Sequence, residues 1–136
     1  MANATQFPDL GSELTRKIIE CAISVHRYFG PGLLESVYEE CMAIEFAKAG
    51  LKFKKQYFMP VNYNGCVIKD AYKLDFWVED KVVVELKAVD KMTPPFDAQI
   101  ITYMKLSKSP LGLLINFNEK LVKDGIKRFA LTEFNS

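Results

Sequence analysis

Apolar positions change their period along the chain, and each change marks a new element. Leu14, Ile18, Ala22, Val25 and Phe29 recur at spacings of three or four, which predicts an amphipathic helix opening between residues 9 and 12 and closed by Gly30-Pro31-Gly32. A second helical pattern starts near Leu33 and runs through Val37, Cys41, Ile44 and Lys48 to Gly50, a residue suited to a left-handed cap. The two form a helical hairpin, with Leu34, Val37, Cys41 and Ile44 as core positions of its second arm. From Lys52 the period becomes two: Phe53, Tyr57, Met59, Val61 and Tyr63 alternate, Lys55 breaks the pattern and Pro60 marks an edge strand. Asn64-Gly65 signals a tight hairpin turn. Tyr72, Leu74, Phe76 and Val78 then alternate with Lys73, Asp75, Trp77 and Glu79, and the turn Glu79-Asp80-Lys81 leads into Val82-Val83-Val84, giving two more strands. Thr93-Pro94 opens a third helix through residues 98–106, closed by Ser109-Pro110. Residues 111–115 sit where a βαβ crossover delivers a buried strand parallel to residues 82–88. Asp124-Gly125 turns into a final strand over residues 126–131.

The chain's 136 residues predict one domain over residues 1–136. Its 49% hydrophobic and 26% charged residues exclude disordered, collagenous and fibrous classes. A formal charge of +1 gives no global attraction to polyanions, so a polyanion site must be local. Cys21, Cys41 and Cys66 lack metal-ligand or disulfide-framework spacing and read as reduced and mostly packed. The one histidine, His26, removes chemistries that need two imidazoles. The first ten residues lack a basic, then apolar, leader, and no run approaches the roughly 18 apolar residues of a membrane span. The expectation is a cytoplasmic protein with no membrane partner, in which carboxylates and lysines carry any reaction.

The hairpin over residues 73–87 lets its charges be placed by register. With Val78 opposite Val82, Asp75 falls opposite Glu85 and Lys73 opposite Lys87, all on one face with Trp77 and Val83. Opposed Cβ atoms lie about 4.5–5.5 Å apart, and two carboxylates so close repel unless a cation or proton intervenes. A slip of one residue would turn Glu85 to the other face. In Glu85-Leu86-Lys87 the acid and the ammonium point the same way, an acid for a metal and a lysine for an anion or attacking water. The plain alternative is a solvated cross-strand charge set. Gln99 and Tyr103, at i and i+4, share a face of the third helix; Glu35 and Tyr38, at i and i+3, share one at the start of the second. Each pair by itself also suits a structural role.

Taken in order, these motifs resemble a known family. Gly32-Leu33-Leu34-Glu35-Ser36-Val37-Tyr38 is similar to the signature of the GxxExxY proteins, a branch of the PD-(D/E)xK nuclease superfamily. Asp75, the ExK element Glu85-Leu86-Lys87, the QxxxY helix Gln99 to Tyr103, and the stretches 113–117 and 124–128 follow in the family's order. Lys73-Leu74 stands before Asp75 in place of the variable proline-aspartate half of the superfamily name. The resemblance implies an α/β, restriction-endonuclease-like core: a mixed central β-sheet flanked by α-helices in αβββαβ order behind the helical hairpin. It implies Mg²⁺ or Mn²⁺ on Asp75, Glu85, the Leu86 carbonyl and Glu35, with Glu35 ligating directly or through water. Lys87 would orient water and offset phosphate charge, and Gln99 and Tyr103 would position Lys87, metal waters or the nucleic-acid backbone. The expected activity is a metal-dependent nuclease acting on nucleic acid, DNA ahead of RNA, with a homodimer as a source of missing binding surface. The competing reading, motivated by the charge of +1 and the minimal size, is a non-catalytic nuclease-like module for nucleic-acid or protein interaction.

Other residues carry two readings each. Tyr38 either reaches the site or extends the core with its hydroxyl partnered. His26 is a packed or capping histidine or lies at the site's rim. Trp77 stacks on a base or packs in the core. Lys52, Lys54, Lys55, Lys123, Lys127 and Arg128 are phosphate contacts or a solvated face.

Overall fold

The structure, a computed structural model, describes residues 2–3 and 12–132. In chain order the elements are β1 (Ala2–Asn3), α1 (Ser12–Phe29), α2 (Glu35–Lys48), β2 (Phe53–Tyr63), β3 (Cys66–Val78), β4 (Val82–Lys87), α3 (Pro94–Ser107), β5 (Leu111–Asn116) and β6 (Ile126–Leu131), with a 3-10 turn at Val122–Gly125. Among the described residues the strands form one sheet in the order β1-β6-β5-β4-β3-β2. β4 and β5 are parallel, and the remaining neighbours are antiparallel. The predicted elements all form, β2 takes the edge that Pro60 indicated, and Asn64 (φ 51°) and Gly65 (φ 86°) make the hairpin turn. β1 is unanticipated: two residues of the polar lead pair with Leu131 and Ala130 of β6.

Helices cover both faces of the sheet, so β4 and β5 are buried nearly throughout, as parallel strands require. On one face Ile18, Ala22 and Val25 of α1 and Tyr38, Met42 and Phe46 of α2 pack on Phe76, Val78, Val82, Val84 and Leu86. On the other, Ile100 and Met104 of α3 pack on Tyr72, Leu74, Val83, Leu114 and Phe129. Gly112 lets α3 approach β5 closely, because a Cβ there would meet Met104 Sδ at 2.5 Å. Met104 thus packs over Gly112, the partner of Val83 near the start of β4.

The core stripe of α2 differs from the one read off the sequence. Tyr38, Met42 and Phe46 are fully buried and Cys41 partly so, whereas Leu34 is 73% and Ile44 59% exposed, with Val37 also exposed. α2 carries apolar residues almost all round, so two stripes of helical spacing compete. Burial scales with apolar area, and the stripe with the two large rings turns inward. Among the cysteines, Cys21 is buried, Cys41 partly buried and Cys66 exposed, so the packed reading fails for Cys66 at the start of β3, where the turn end of the β2–β3 hairpin lies outside both cores.

Candidate active site

The site forms where the β3–β4 ladder stops. Val78, Trp77 and Phe76 pair with Val82, Val83 and Val84, in the register expected from the turn. At the next position side chains replace the ladder. The Asp75 backbone N–H donates to Glu85 Oε2 at 2.9 Å, and the Leu86 backbone N–H donates to Asp75 Oδ2 at 2.9 Å. Asp75 and Glu85 therefore meet as expected, but through side-chain-to-backbone bonds from Glu85 to Asp75 and from Asp75 to Leu86 and not as an ordinary cross-strand pair. The expected pairing of Lys73 with Lys87 does not form. Lys73 pairs with Phe58 of β2 instead, its ammonium 5.6 Å from that ring's centroid, because β3 leaves β4 at Asp75. The Leu86 N–H faces the opening between β3 and β4, and in an extended strand the carbonyl of the same residue faces that side too.

A break in alternation creates this opening. Leu74 belongs to the core under α3, but Phe76 belongs to the core under α2, although residues two apart on a regular strand share a face. β2 switches in the same place: Phe53 packs on the α2 side, Met59 and Val61 on the α3 side. The switch sits at Gln56, whose φ of 50° is left-handed inside a strand. As a result, the consecutive residues Lys55 and Gln56 both reach α2. Lys55 Nζ pairs with Glu40 and lies 3.9 Å from Glu39 Oε2, and Gln56 Nε2 donates to Glu39 Oε1 at 2.6 Å. Gln56 Nε2 also lies 3.4 Å from Asp75 Oδ1. Asp75 is thus drawn away from the Trp77 face on which regular alternation had placed it.

α2 contributes Glu35 in its first turn and Glu39 one turn later. The entry to this helix is locked by Tyr38. Its hydroxyl donates to Gly30 O at 2.5 Å and accepts the Leu33 N–H at 3.1 Å, while its ring stacks on Phe117 with centroids 4.5 Å apart. Tyr38 is fully buried, so its role is to hold the turn that aims Glu35. His26 is likewise structural: it is buried and its Nε2 lies 2.8 Å from Glu119 O. Trp77 is half-buried, donates through Nε1 to Ser109 Oγ at 2.9 Å and carries Lys54 Nζ 4.7 Å from its ring, so it packs against the α3 side.

The cluster is electrostatically crowded. Burial first, and then the charge of Asp75, pushes the Glu85 carboxyl up from its ordinary 4.5 to about 8. Burial also raises Asp75, opposed by the Leu86 N–H and by Lys87 and Lys73. Glu35 rises through burial and then Asp75, with Lys87 opposing; Glu39 rises through burial, with the Gln56 hydrogen bond opposing. Lys87 is half-buried with its ammonium 4.6 Å from the Phe96 ring, and it acts on Glu35, Asp75 and Glu85 alike. Tyr103, its ring 4.9 Å from that of Tyr72, has its phenol raised by burial and then by Glu85 and Asp75, which puts it in the field of the cluster. Gln99 is exposed and makes no side-chain hydrogen bond among the described residues, since the inward face of α3 is Ile100 and Met104.

Glu35, Asp75, Glu85, Lys87 and Tyr103 thus share one electrostatic neighbourhood, and Gln99 stands outside it. Among the described residues no three acidic, histidine or cysteine side chains already converge as a metal cage. The donors nevertheless fit a hard divalent cation. They are all oxygens, Glu85 spends one carboxylate oxygen on the Asp75 N–H and keeps the other, Asp75 spends one on the Leu86 N–H and meets only the Gln56 amide at 3.4 Å with the other, and the mutual repulsion of the two acids is what a cation relieves. The sequence reading missed Glu39 and Gln56. Glu39 was findable as i+4 from Glu35, and the pattern break at Lys55 was the trace of the switch at Gln56.

No curated protein and no solved structure matches the chain. Among the described residues no helix is long and apolar enough to cross a membrane. A family model described as the PD-(D/E)XK nuclease superfamily matches residues 12–129, a span that takes in all the residues of this site. The mixed sheet between helices is consistent with the superfamily's restriction-endonuclease-like fold, and its nucleases generally use divalent metal ions. With most of its length under that match, the chain belongs to the PD-(D/E)XK nuclease superfamily.

Proposed function

We propose that this domain is a metal-dependent nuclease of the GxxExxY branch that hydrolyses phosphodiester bonds, with DNA as the first substrate class, and that Mg²⁺ or Mn²⁺ is held by Asp75, Glu85, the Leu86 carbonyl and Glu35. The pair of bonds by which the Glu85 carboxylate accepts the Asp75 N–H and the Asp75 carboxylate accepts the Leu86 N–H carries the reading. It holds two mutually repelling carboxylates at one point on the sheet, with Lys87 two residues along the same strand. A bound divalent ion supplies charge against the scissile phosphate and lowers the pKa of water. The chain does the rest. Lys87 offsets phosphate charge and orients the attacking water, and its place over Phe96 keeps it beside the carboxylates. Tyr103, its phenol raised above 10, stays protonated at neutral pH and donates a hydrogen bond to a phosphate oxygen or to water. Exposed Gln99, one turn before Tyr103, contacts the nucleic-acid backbone.

The test is calorimetric titration of Mn²⁺ and Mg²⁺ into chelator-stripped protein, with Glu85→Ala alongside, followed by a cleavage screen on single- and double-stranded DNA and RNA. Ion binding and cleavage that both vanish in Glu85→Ala support the reading. Absence of ion binding, repeated with nucleic acid present, together with equal behaviour of wild type and variant on every substrate, refutes it and leaves a non-catalytic interaction module.

A further inference from the structure

Gln56 is out of keeping with its strand. An extended strand has no place for a φ of 50°, and outside glycine, asparagine and aspartate that conformation is disfavoured by contact between Cβ and the backbone. Strain of this kind persists where the surrounding structure imposes it, and it concentrates at functional sites. Here the imposed conformation has a visible result: it turns Gln56 onto the α2 side directly after Lys55. From there one amide nitrogen spans two elements, Glu39 of α2 at 2.6 Å and Asp75 of β3 at 3.4 Å. Glu39 is one helical turn from Glu35, and Asp75 holds the Leu86 N–H. The amide therefore links the helix that carries Glu35 to the strand that carries Asp75. Nothing else among the hydrogen bonds of the described residues joins α2 to Asp75.

We infer that Gln56 is a positioning residue that tethers α2 to Asp75 and so sets the spacing of Glu35 and Asp75 for a divalent cation, and that its left-handed backbone is retained for this purpose at the expense of stability. The inference rests on the cation site proposed above and extends it to a residue outside the acidic set. An amide donor suits this point because both neighbours are carboxylates drawn out of bulk water, and one neutral NH2 group reaches each without adding charge. The side-chain length matters too, since asparagine tolerates the same backbone but falls one methylene short.

The experiment compares wild type with Gln56→Asn and Gln56→Gly, both of which accept a positive φ. Three quantities are read: the melting temperature in chelator, the exchange rate of the Leu86 amide in chelator, and the Kd for Mn²⁺ by calorimetry. The expected result is a melting temperature equal to or above that of wild type, faster exchange at Leu86 with β5 amides unchanged, and Mn²⁺ affinity weakened about 10- to 100-fold, as for other lost supports of metal ligands. Unchanged Mn²⁺ affinity and Leu86 exchange in both variants overturn the inference while leaving the cation site standing. A fall in melting temperature that parallels the loss of affinity overturns it in favour of a packing role. Absence of Mn²⁺ binding by wild type overturns the cation site itself, and this role with it.

Discussion

Replacing Glu85 by glutamine removes a group whose ionisation the folded chain resists. Glu85 is 4% exposed, and its carboxyl is held at about 8 against an ordinary 4.5. The folded state therefore binds this proton more tightly than the unfolded state. Its contribution to stability is complete below pH 4.5 and is lost as pH rises to about 8. The interval is about 3.5 pH units, each worth roughly 1.4 kcal/mol, so the loss approaches 5 kcal/mol at pH 8 and is about 3 kcal/mol at pH 7. Glutamine keeps an oxygen to accept the Asp75 N–H and carries no proton to lose. In chelator the stability of Glu85→Gln relative to wild type should therefore climb with pH. The curves should lie close together near pH 4.5, diverge by roughly 1.4 kcal/mol per unit, and level off above pH 8. Urea denaturation of both proteins at half-unit steps from pH 4.5 to 8.5 reads the slope directly. Parallel curves, or a variant that loses ground as pH rises, would show that Glu85 ionises in a solvated setting and that the buried Asp75–Glu85 contact is wrong.

Lys87→Ala should bind Mn²⁺ nearly as wild type does while cleavage falls roughly 100-fold or more, because the role proposed for the ammonium is toward phosphate and water and not as a ligand; calorimetry beside a cleavage assay separates the two. Tyr38→Phe keeps the stack on Phe117 but leaves Gly30 O and the Leu33 N–H without their partner, and should cost about 1–3 kcal/mol in urea denaturation. Asn116→Ala removes a fully buried amide that donates to Val89 O and accepts the Val89 and Asn118 N–H groups, with an expected loss of about 3 kcal/mol or more by the same measurement.

How much of this was legible in the chain depended on the range of the forces involved. Element type follows from local periodicity, so α1, α2, the β2–β3–β4 meander, α3 and the parallel β5 could be read from the spacing of apolar residues and from turn residues such as Asn64-Gly65. The meeting of Asp75 with Glu85 was legible because the short turn after Val78 sets the register of the residues beside it. Predictive power faded where competing contacts lay far apart in sequence. The inward stripe of α2 was decided by the sheet beneath it, which took the larger rings of Tyr38 and Phe46 and left Leu34 and Ile44 outside. Two residues of the polar lead found a strand partner only because β6 presented an edge.

The candidate site divides in the same way. The order of Glu35, Asp75, Glu85, Lys87, Gln99 and Tyr103, and the carboxylate and ammonium chemistry they carry, are properties of the sequence. The convergence of all of them but Gln99 is a property of the fold. Beside the left-handed torsion at Gln56 two strands switch alternation and β3 parts from β4 at Asp75, and there Glu39 and Gln56 join a cluster in which neither had an evident place. Gln99, chemically a member of the set, is left on the outer side of α3 because Ile100 and Met104 face the sheet. A strand's alternation is local only while its torsions stay extended, and packing against a helix from elsewhere in the chain decides where they do not.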